Sequence, residues 1–323
     1  MRLSERPELL RQIVSDSDVD CFEGCPHIVG HHEQQISEGG EVDLHEYVKD
    51  CKNNAAHTQF IPVKSLRLKH LLKGYHDKDV YNLIKAAAFL TVRISVTMIS
   101  PHRPNVWPNT EVPYFLFNMI GSQHLRMASG IVKDIIPDDD KSCPCDKCQH
   151  SNTPSQKWWR IGVRTAANVV FDDIEAGHSV IRLFYDTEDS PEFLVRSLEE
   201  EALVEKNISE DWCTLDYITC DAKLVKRLDR MVDRYNELSG KVTEKYKNCQ
   251  NQEKLMFLVS HPHGLCKQIS IGQWETNSLG IYLKFTYSTY SCPGSAGAIA
   301  YFVGKGLRNH SGNMKSGLSY CSG

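Results

Sequence analysis

Two short stretches of this 323-residue chain carry residue types that could do chemistry. The first is the turn 291–298, Ser291-Cys-Pro-Gly-Ser-Ala-Gly-Ala, set between a strand-like run from Ile281 and another from Ile299. Pro-Gly followed by small residues between two β-prone runs predicts a tight turn with exposed backbone amides. Such amides can hold an oxyanion or a substrate carbonyl. Ser295 and Cys292 add a hydroxyl and a thiol to the same turn. The second stretch, Cys143-Pro-Cys-Asp-Lys-Cys-Gln-His, packs Cys143, Cys145, Cys148 and His150 into eight residues. Zinc takes four N or S ligands of this kind tetrahedrally, and a full set leaves no open position, so the site expected is structural. A site built from so short a segment is crowded, and Cys213, Cys220 or Cys266 could supply a distant ligand. Reduced surface thiols or a local disulfide are the plain alternatives. Cys21, Cys25, His27, His31 and His32 are also spaced as ligands could be, although loose polar residues in a tail explain them as simply.

The surrounding chain bounds what these residues can serve. The net charge of −4, from 41 acidic and 37 basic residues, gives no basic field for nucleic acid. No apolar run approaches membrane-spanning length, and the first residues lack the apolar stretch of a secretory signal. An intracellular, cytoplasmic setting follows, in which most of the 12 cysteines are reduced thiols, buried or metal-bound. The sequons at Asn207 and Asn309 carry no weight there.

The elements that must position the chemistry are mainly strands. Residues 1–60 read as a polar, mostly disordered leader with one or two short helices, and 61–89 as a helical extension with Asp77 or Asp79 as an N-cap. From Leu90 the texture alternates, beginning with a half-buried strand at 91–99. Short β-type runs separated by turn signals then predict an all-β fold of antiparallel barrels or a sandwich. Residues 221–251 interrupt it with a helix whose Leu224, Val225, Leu228, Met231, Val232, Tyr235 and Leu238 share one face. That face suits packing on the barrels better than an oligomerising coiled coil, which needs more heptads.

Four segments now stand in the order of a trypsin-like serine peptidase. Arg164-Thr-Ala-Ala-Asn-Val-Val-Phe resembles the turn that presents the general base. Asp211-Trp-Cys-Thr-Leu resembles the segment carrying the triad aspartate, and Pro293-Gly-Ser-Ala-Gly-Ala resembles the nucleophile turn of the HtrA-like branch. Phe257-Leu-Val-Ser-His-Pro-His-Gly, with the strand after it, is similar to a turn and strand of the same branch. The resemblance covers about 90–323 and implies two antiparallel barrels, one over 90–220 and one over 252–323, with the active cleft between them. It also implies a degenerate triad: Asn168 at the base position, Asp211 as the one matching catalytic group, and Ala296 at the nucleophile position. An amide has no useful proton affinity and alanine has no hydroxyl, so two of the three roles are vacant. The amides of Gly294 and Ala296 correspond to the oxyanion hole and need no side chain.

The expectation is therefore a trypsin-like fold without peptidase activity, a pseudopeptidase binding a peptide or protein ligand in the inter-barrel cleft, without nucleic acid or membrane partners. The alternative is an active endopeptidase using Ser295 or Cys292, with His178, His261 or His263 as replacement base. A zinc-dependent scaffold on the 143–150 loop is compatible with the first.

Overall fold

The computed structural model describes residues 31–53, 57–106, 111, 113–139, 141–197, 202–208, 210–248, 254–279, 282–314 and 317–321. Cys21, Cys25 and His27 lie outside these residues. Within the segment expected as a leader, residues 31–53 and 57–60 are ordered. Strands β1 (His31–His32) and β2 (Gln35–Ser37) are followed by helix α1 (Leu44–Lys49) and strand β3 (Ile61–Pro62). These polar residues are ordered because their backbones extend existing sheets: β1 pairs with residues 312–313 and β2 with residues 125–127. Helix α2 (Lys78–Leu90) begins where Asp77 accepts a hydrogen bond from the Asp79 N–H.

The first barrel comprises β4 (Thr91–Val96), β5 (Leu125–Asp138), β6 (Trp158–Thr165), β7 (Ser179–Arg182), β8 (Leu194–Arg196) and, after the edge strand β9 (Leu203–Asn207), β10 (Trp212–Thr219). Two short helices, α3 (Asp146–Gln149) and α4 (Asp173–Gly177), lie in its connections. The order is β8-β7-β4-β5-β6-β10, and the bridge between Ser197 and Tyr217 joins the end of β8 to β10, closing the ring. The second barrel comprises β11 (Leu255–Ser260), β12 (Gln268–Leu279), β13 (Tyr282–Tyr287), β14 (Ile299–Phe302), β15 (Gly306–Asn313) and β16 (Ser319–Cys321). Its order is β15-β14-β11-β12-β13-β16, and β15 pairs with β16 to close it. Every pairing is antiparallel, and within each barrel the strands follow one circuit: first, second, third, sixth, fifth, fourth. Two barrels with the same connectivity make this the trypsin-like double barrel.

Helix α5 (Ala222–Tyr246) joins them. Its Asp221 cap accepts from the Lys223 and Leu224 N–H groups, and Leu224, Val225, Leu228, Val232, Tyr235, Leu238 and Val242 are buried. This face lies in one core with α2 and alternate residues of β11, whose Leu255, Phe257 and Val259 point to the helices. Met256 and Leu258 point the other way, into the second core with Trp274, Phe285 and Phe302. Burial on both faces is why β11 is apolar throughout rather than alternating. Strand β4 does alternate, yet its polar Thr91 and Arg93 are buried too. Thr91 donates to the Ala87 carbonyl, and Arg93 pairs with Glu41 and donates to the Gly264 carbonyl. The half-buried strand expected here is covered by the N-terminal segment and the second barrel.

The joint between the barrels is tight at 294–297. Ser129 of β5 donates its N–H to the Ala296 carbonyl and its Oγ to the Gly294 carbonyl, and Oγ accepts from the His261 N–H. Gly297 has φ +79, and a Cβ there would stand 2.5 Å from the Ser129 carbonyl and clash still more closely with Thr165 Oγ1. Gly297→Ala is expected to destabilise the chain by about 1–3 kcal/mol, read as a lower midpoint in urea denaturation with an unchanged slope.

Candidate functional site

Asn168 and Asp211 meet at the base end of the cleft. Asn168 ends the turn that follows β6, and Asp211 precedes β10 in the left-handed region at φ 51. Strands β6 and β10 pair directly, which brings the two together. The Asn168 amide donates through Nδ2 to Asp211 Oδ2 at 2.7 Å, and its backbone N–H to Oδ1 at 2.9 Å. Both residues are buried. The carboxylate thus fixes the Asn168 side chain, an amide that carries no basic nitrogen.

Across the joint, the turn at 294–297 presents its amides. Gly294 has φ +98, and a Cβ there would meet the His261 carbonyl at 2.4 Å and two backbone nitrogens at 2.8 Å. With this glycine in place, the N–H groups of Gly294 and Ala296 converge on one acceptor, the Glu33 carbonyl, at 2.7 and 3.0 Å. Two amides on one carbonyl is the geometry of an oxyanion hole. Ala296 is completely buried and supplies no hydroxyl.

The segment holding that carbonyl runs through the cleft as an extended peptide. Strand β1 adds antiparallel to β15, and the Glu33 N–H reaches the Ser311 carbonyl at 3.3 Å. Two residues later β2 adds antiparallel to β5 of the first barrel. Between these ladders each side chain is taken up. His310 Nε2–H donates to Glu33 Oε2 at 2.8 Å, with His310 fully buried and its Nδ1 bonded to the Tyr287 hydroxyl. Asn53 donates to Glu33 Oε1. Gln34 Nε2 donates to the Asn168 carbonyl and Oδ1 at 2.7 and 2.9 Å, and Gln34 Oε1 accepts from Arg126. The inter-barrel cleft is filled by residues 31–37.

A buried ion network fixes the floor of this arrangement. Glu175 of α4 accepts two hydrogen bonds from Arg103, at 2.6 and 2.7 Å, and lies 3.0 Å from Arg126. Arg103 also donates to the Asn168 carbonyl, and Arg126 to the Val169 and Met98 carbonyls. Burial by itself raises the Glu175 pKa; Arg126 and Arg103 outweigh it and hold the carboxyl down to about 2. Burial, opposed by Glu175, pulls Arg126 down to about 10, so it is cationic at neutral pH.

Ser295 and Cys292, the alternative nucleophiles, are held in the wall of the joint. Ser295 is fully buried, and its Oγ shares a hydrogen bond with Ser260 Oγ and accepts from the Cys292 N–H. Contact with Cys51, then burial, pushes the Cys292 thiol far above its ordinary range. His178 is exposed and bonds the Ile174 carbonyl, and His261 bonds the Leu265 carbonyl. His263 Nδ1–H donates to Gln35 Oε1 at 2.8 Å. None of these rings is hydrogen-bonded to Ser295 or Cys292. The sequon at Asn309 is buried, its Oδ1 held by Arg164.

Cys143, Cys145 and Cys148 converge with Cys220, and their four sulfurs lie within 4.8 Å of one another. This corrects the set expected from the sequence. His150 follows α3 with its Nδ1 turned to the Asp146 carbonyl, exposed to solvent, while Cys220 arrives at the end of β10. Cys213 is buried elsewhere, with its thiol on the Ala166 carbonyl. The Cys145 thiol is lowered: burial raises it, but the Cys148 N–H and the neighbouring thiols outweigh that. A sulfur-only cluster with one acidified thiol could hold a soft metal ion.

What the sequence did not reveal is the occupant of the cleft. Glu33, Gln34 and Gln35 look like any polar tail, and the contact that matters most uses a backbone carbonyl. His310, Arg103, Arg126 and Glu175 were equally hidden, because their pairing spans barrels and loops far apart in sequence.

No protein-family model matches the chain, and no curated protein matches it. Among solved structures it is similar to one described as an HtrA-type protease with decapeptide, at 12% identity and a TM-score of 0.39. The alignment covers 74% of this chain and 61% of that one. The double-barrel assignment rests on the strand connectivity. No described helix is long and apolar enough to cross a membrane.

Glu175→Gln leaves two buried guanidinium groups short of a counter-charge, and is expected to cost about 3–5 kcal/mol. Since the folded-state pKa is depressed, the native carboxylate contributes stability that is complete above the ordinary glutamate range. That stability is lost as pH falls from there toward 2. Denaturation curves across acid pH are expected to steepen in this window for the native chain, and to lose that component in the variant.

Proposed function

We propose that this chain is a pseudopeptidase: a trypsin-like double barrel that binds an extended peptide by strand addition and does not cut it. The observation that carries the reading is the Glu33 carbonyl on the Gly294 and Ala296 amides, flanked by Asn168 and Ala296 where a base and a nucleophile would stand. Binding requires only the edge of β15, the two amides and a side-chain pocket. Hydrolysis requires a proton acceptor and an attacking atom, and losing both leaves at best the effect of the amides. Residues 31–37 act as the internal ligand, and His310 with Tyr287 selects an acidic or carboxamide side chain at the residue whose carbonyl enters the hole. An external partner would carry a similar extended, glutamate-containing segment and compete with 31–37.

Fluorophosphonate and iodoacetamide probes are expected to give no saturable labelling of Ser295 or Cys292 in the folded chain. Labelling lost on boiling would instead mark an active peptidase. On a biotinylated peptide array, the Glu33→Ala/Gln34→Ala double variant is expected to retain glutamate-containing motifs more strongly than the unaltered chain. Gly294→Val, which forces a Cβ against three backbone atoms, is expected to abolish retention. An array without sequence-selective retention contradicts the reading.

The proposal also assigns structural zinc to Cys143, Cys145, Cys148 and Cys220. Tetrahedral coordination with Zn–S near 2.3 Å places the sulfurs ~3.8 Å apart. Cys220 Sγ lies 3.7 Å from both Cys145 and Cys148. The ion would tie the β5–β6 loop to the end of β10. Cys145→Ser/Cys220→Ser is expected to lose one equivalent of zinc by elemental analysis, and an unchanged zinc content contradicts the assignment.

A further inference from the structure

A second constellation lies beside the cleft, assembled from three segments far apart in sequence. Cys51 follows α1, His57 precedes β3, His263 lies in the turn between β11 and β12, and Cys292 lies just before Gly294. One ligand atom from each falls within 4.8 Å of the others. The two sulfurs are 3.5 Å apart and the two Nε2 atoms 3.2 Å apart.

These two separations are close to two edges of a tetrahedron around one ion. Zn–S bonds near 2.3 Å and Zn–N bonds near 2.05 Å imply ~3.8 Å between sulfurs and ~3.3 Å between nitrogens. The ring of His263 is also prepared as a ligand. Gln35 directs its Nε2 to the Ile36 carbonyl, which leaves Gln35 Oε1 to accept from His263 Nδ1–H. That hydrogen bond fixes the tautomer in which His263 Nε2 carries a lone pair, the outer-shell arrangement that orients metal-binding histidines. His263 and Cys292 are buried, Cys51 and His57 half-buried, and His57 stacks on Phe60.

We infer that Cys51, His57, His263 and Cys292 form a Cys2His2 zinc site that clamps the N-terminal segment over the cleft. Two ligands belong to the segment that continues from the internal ligand, and two to the turns that shape the oxyanion hole. Gln35, which orients His263, is itself part of the internal ligand. An ion bound by all four exists only when 31–57 is docked, so zinc shifts the equilibrium toward the filled cleft, and removing it favours an open one. Loading replaces the thiol protons of Cys51 and Cys292 with zinc and releases them to solvent; no electrons move. The clamping role rests on the reading of residues 31–37 as an internal ligand. The metal site itself does not.

Zinc content and amide exchange separate the two. Elemental analysis of the full chain, purified under reducing conditions, is expected to give about two zinc ions per chain, one for each four-ligand set. Cys51→Ser/His57→Ala is expected to retain one, as is Cys145→Ser/Cys220→Ser. The milder His57→Ala variant guards against misfolding, since cobalt(II) loaded into it should lose the spectrum of a two-sulfur, two-nitrogen site and keep that of the four-sulfur site. Zinc content unchanged in Cys51→Ser/His57→Ala overturns the site. So does a Cys51–Cys292 disulfide recovered by non-reducing peptide mapping. Chelation is then expected to speed amide exchange over residues 31–37 by about 5- to 150-fold, the range of typical site-to-site coupling. Zinc lost with exchange unchanged overturns the clamp while leaving the peptide-binding reading standing. Fast exchange at 31–37 even in the zinc-loaded chain overturns the internal ligand instead.

Discussion

Two backbone N–H groups sharing one carbonyl set the terms for the rest of this structure. The Gly294 and Ala296 amides can converge only if the turn adopts its positive-φ glycines, and those glycines are enforced by backbone on every side. Buried amides left unpaired would each cost roughly 1–3 kcal/mol. The Glu33 carbonyl removes that cost, and by doing so draws an otherwise unremarkable polar segment into the cleft. Ser129 holds the turn to the first barrel from behind. The buried Arg103–Glu175–Arg126 network holds the opposite wall, and through Arg126 and Asn168 it also holds Gln34.

This arrangement separates two properties that a peptidase normally joins. Recognition of an extended chain uses sheet edges, amides and a pocket, all of which depend on backbone geometry. Bond cleavage uses an imidazole and a hydroxyl, and on the proposed reading Asn168 and Ala296 stand where these are expected. Asp211 fixes the turn after β6 through two hydrogen bonds from Asn168, whose side chain has no basic nitrogen. On that reading, the cleft keeps its shape without the reactive atoms.

Much of this was legible in the sequence wherever a local pattern was involved. The amphipathic face of α5 and the glycine turn follow from spacing, the cap of α2 was narrowed to Asp77 or Asp79, and the approach of Asn168 to Asp211 was implied by the resemblance. Interactions between distant segments were not legible. Glu33 is recognised through its carbonyl, which every residue possesses, so no residue type announces it. His150 looked like the natural fourth ligand beside three cysteines, but a short helix turns it outward, and Cys220, one of three distant cysteines the sequence offered, takes that place from the end of β10. Cys51, His57, His263 and Cys292 share no spacing at all; only the docking of the N-terminal segment makes them neighbours.

On the proposed reading, Glu33–Gln34 lies in the register of a scissile bond and is spared because the reactive groups are missing. Restoring them tests it directly. Asn168→His and Ala296→Ser would be combined with Gln34→Ala, because the Gln34 amide lies 2.9 Å from Asn168 Oδ1, where a larger ring must fit. Intact-mass measurement of this triple variant is expected to show self-cleavage after residue 33 and nowhere else. A chain that stays whole while position 296 accepts a fluorophosphonate, or one that is cut at another bond, would contradict the account.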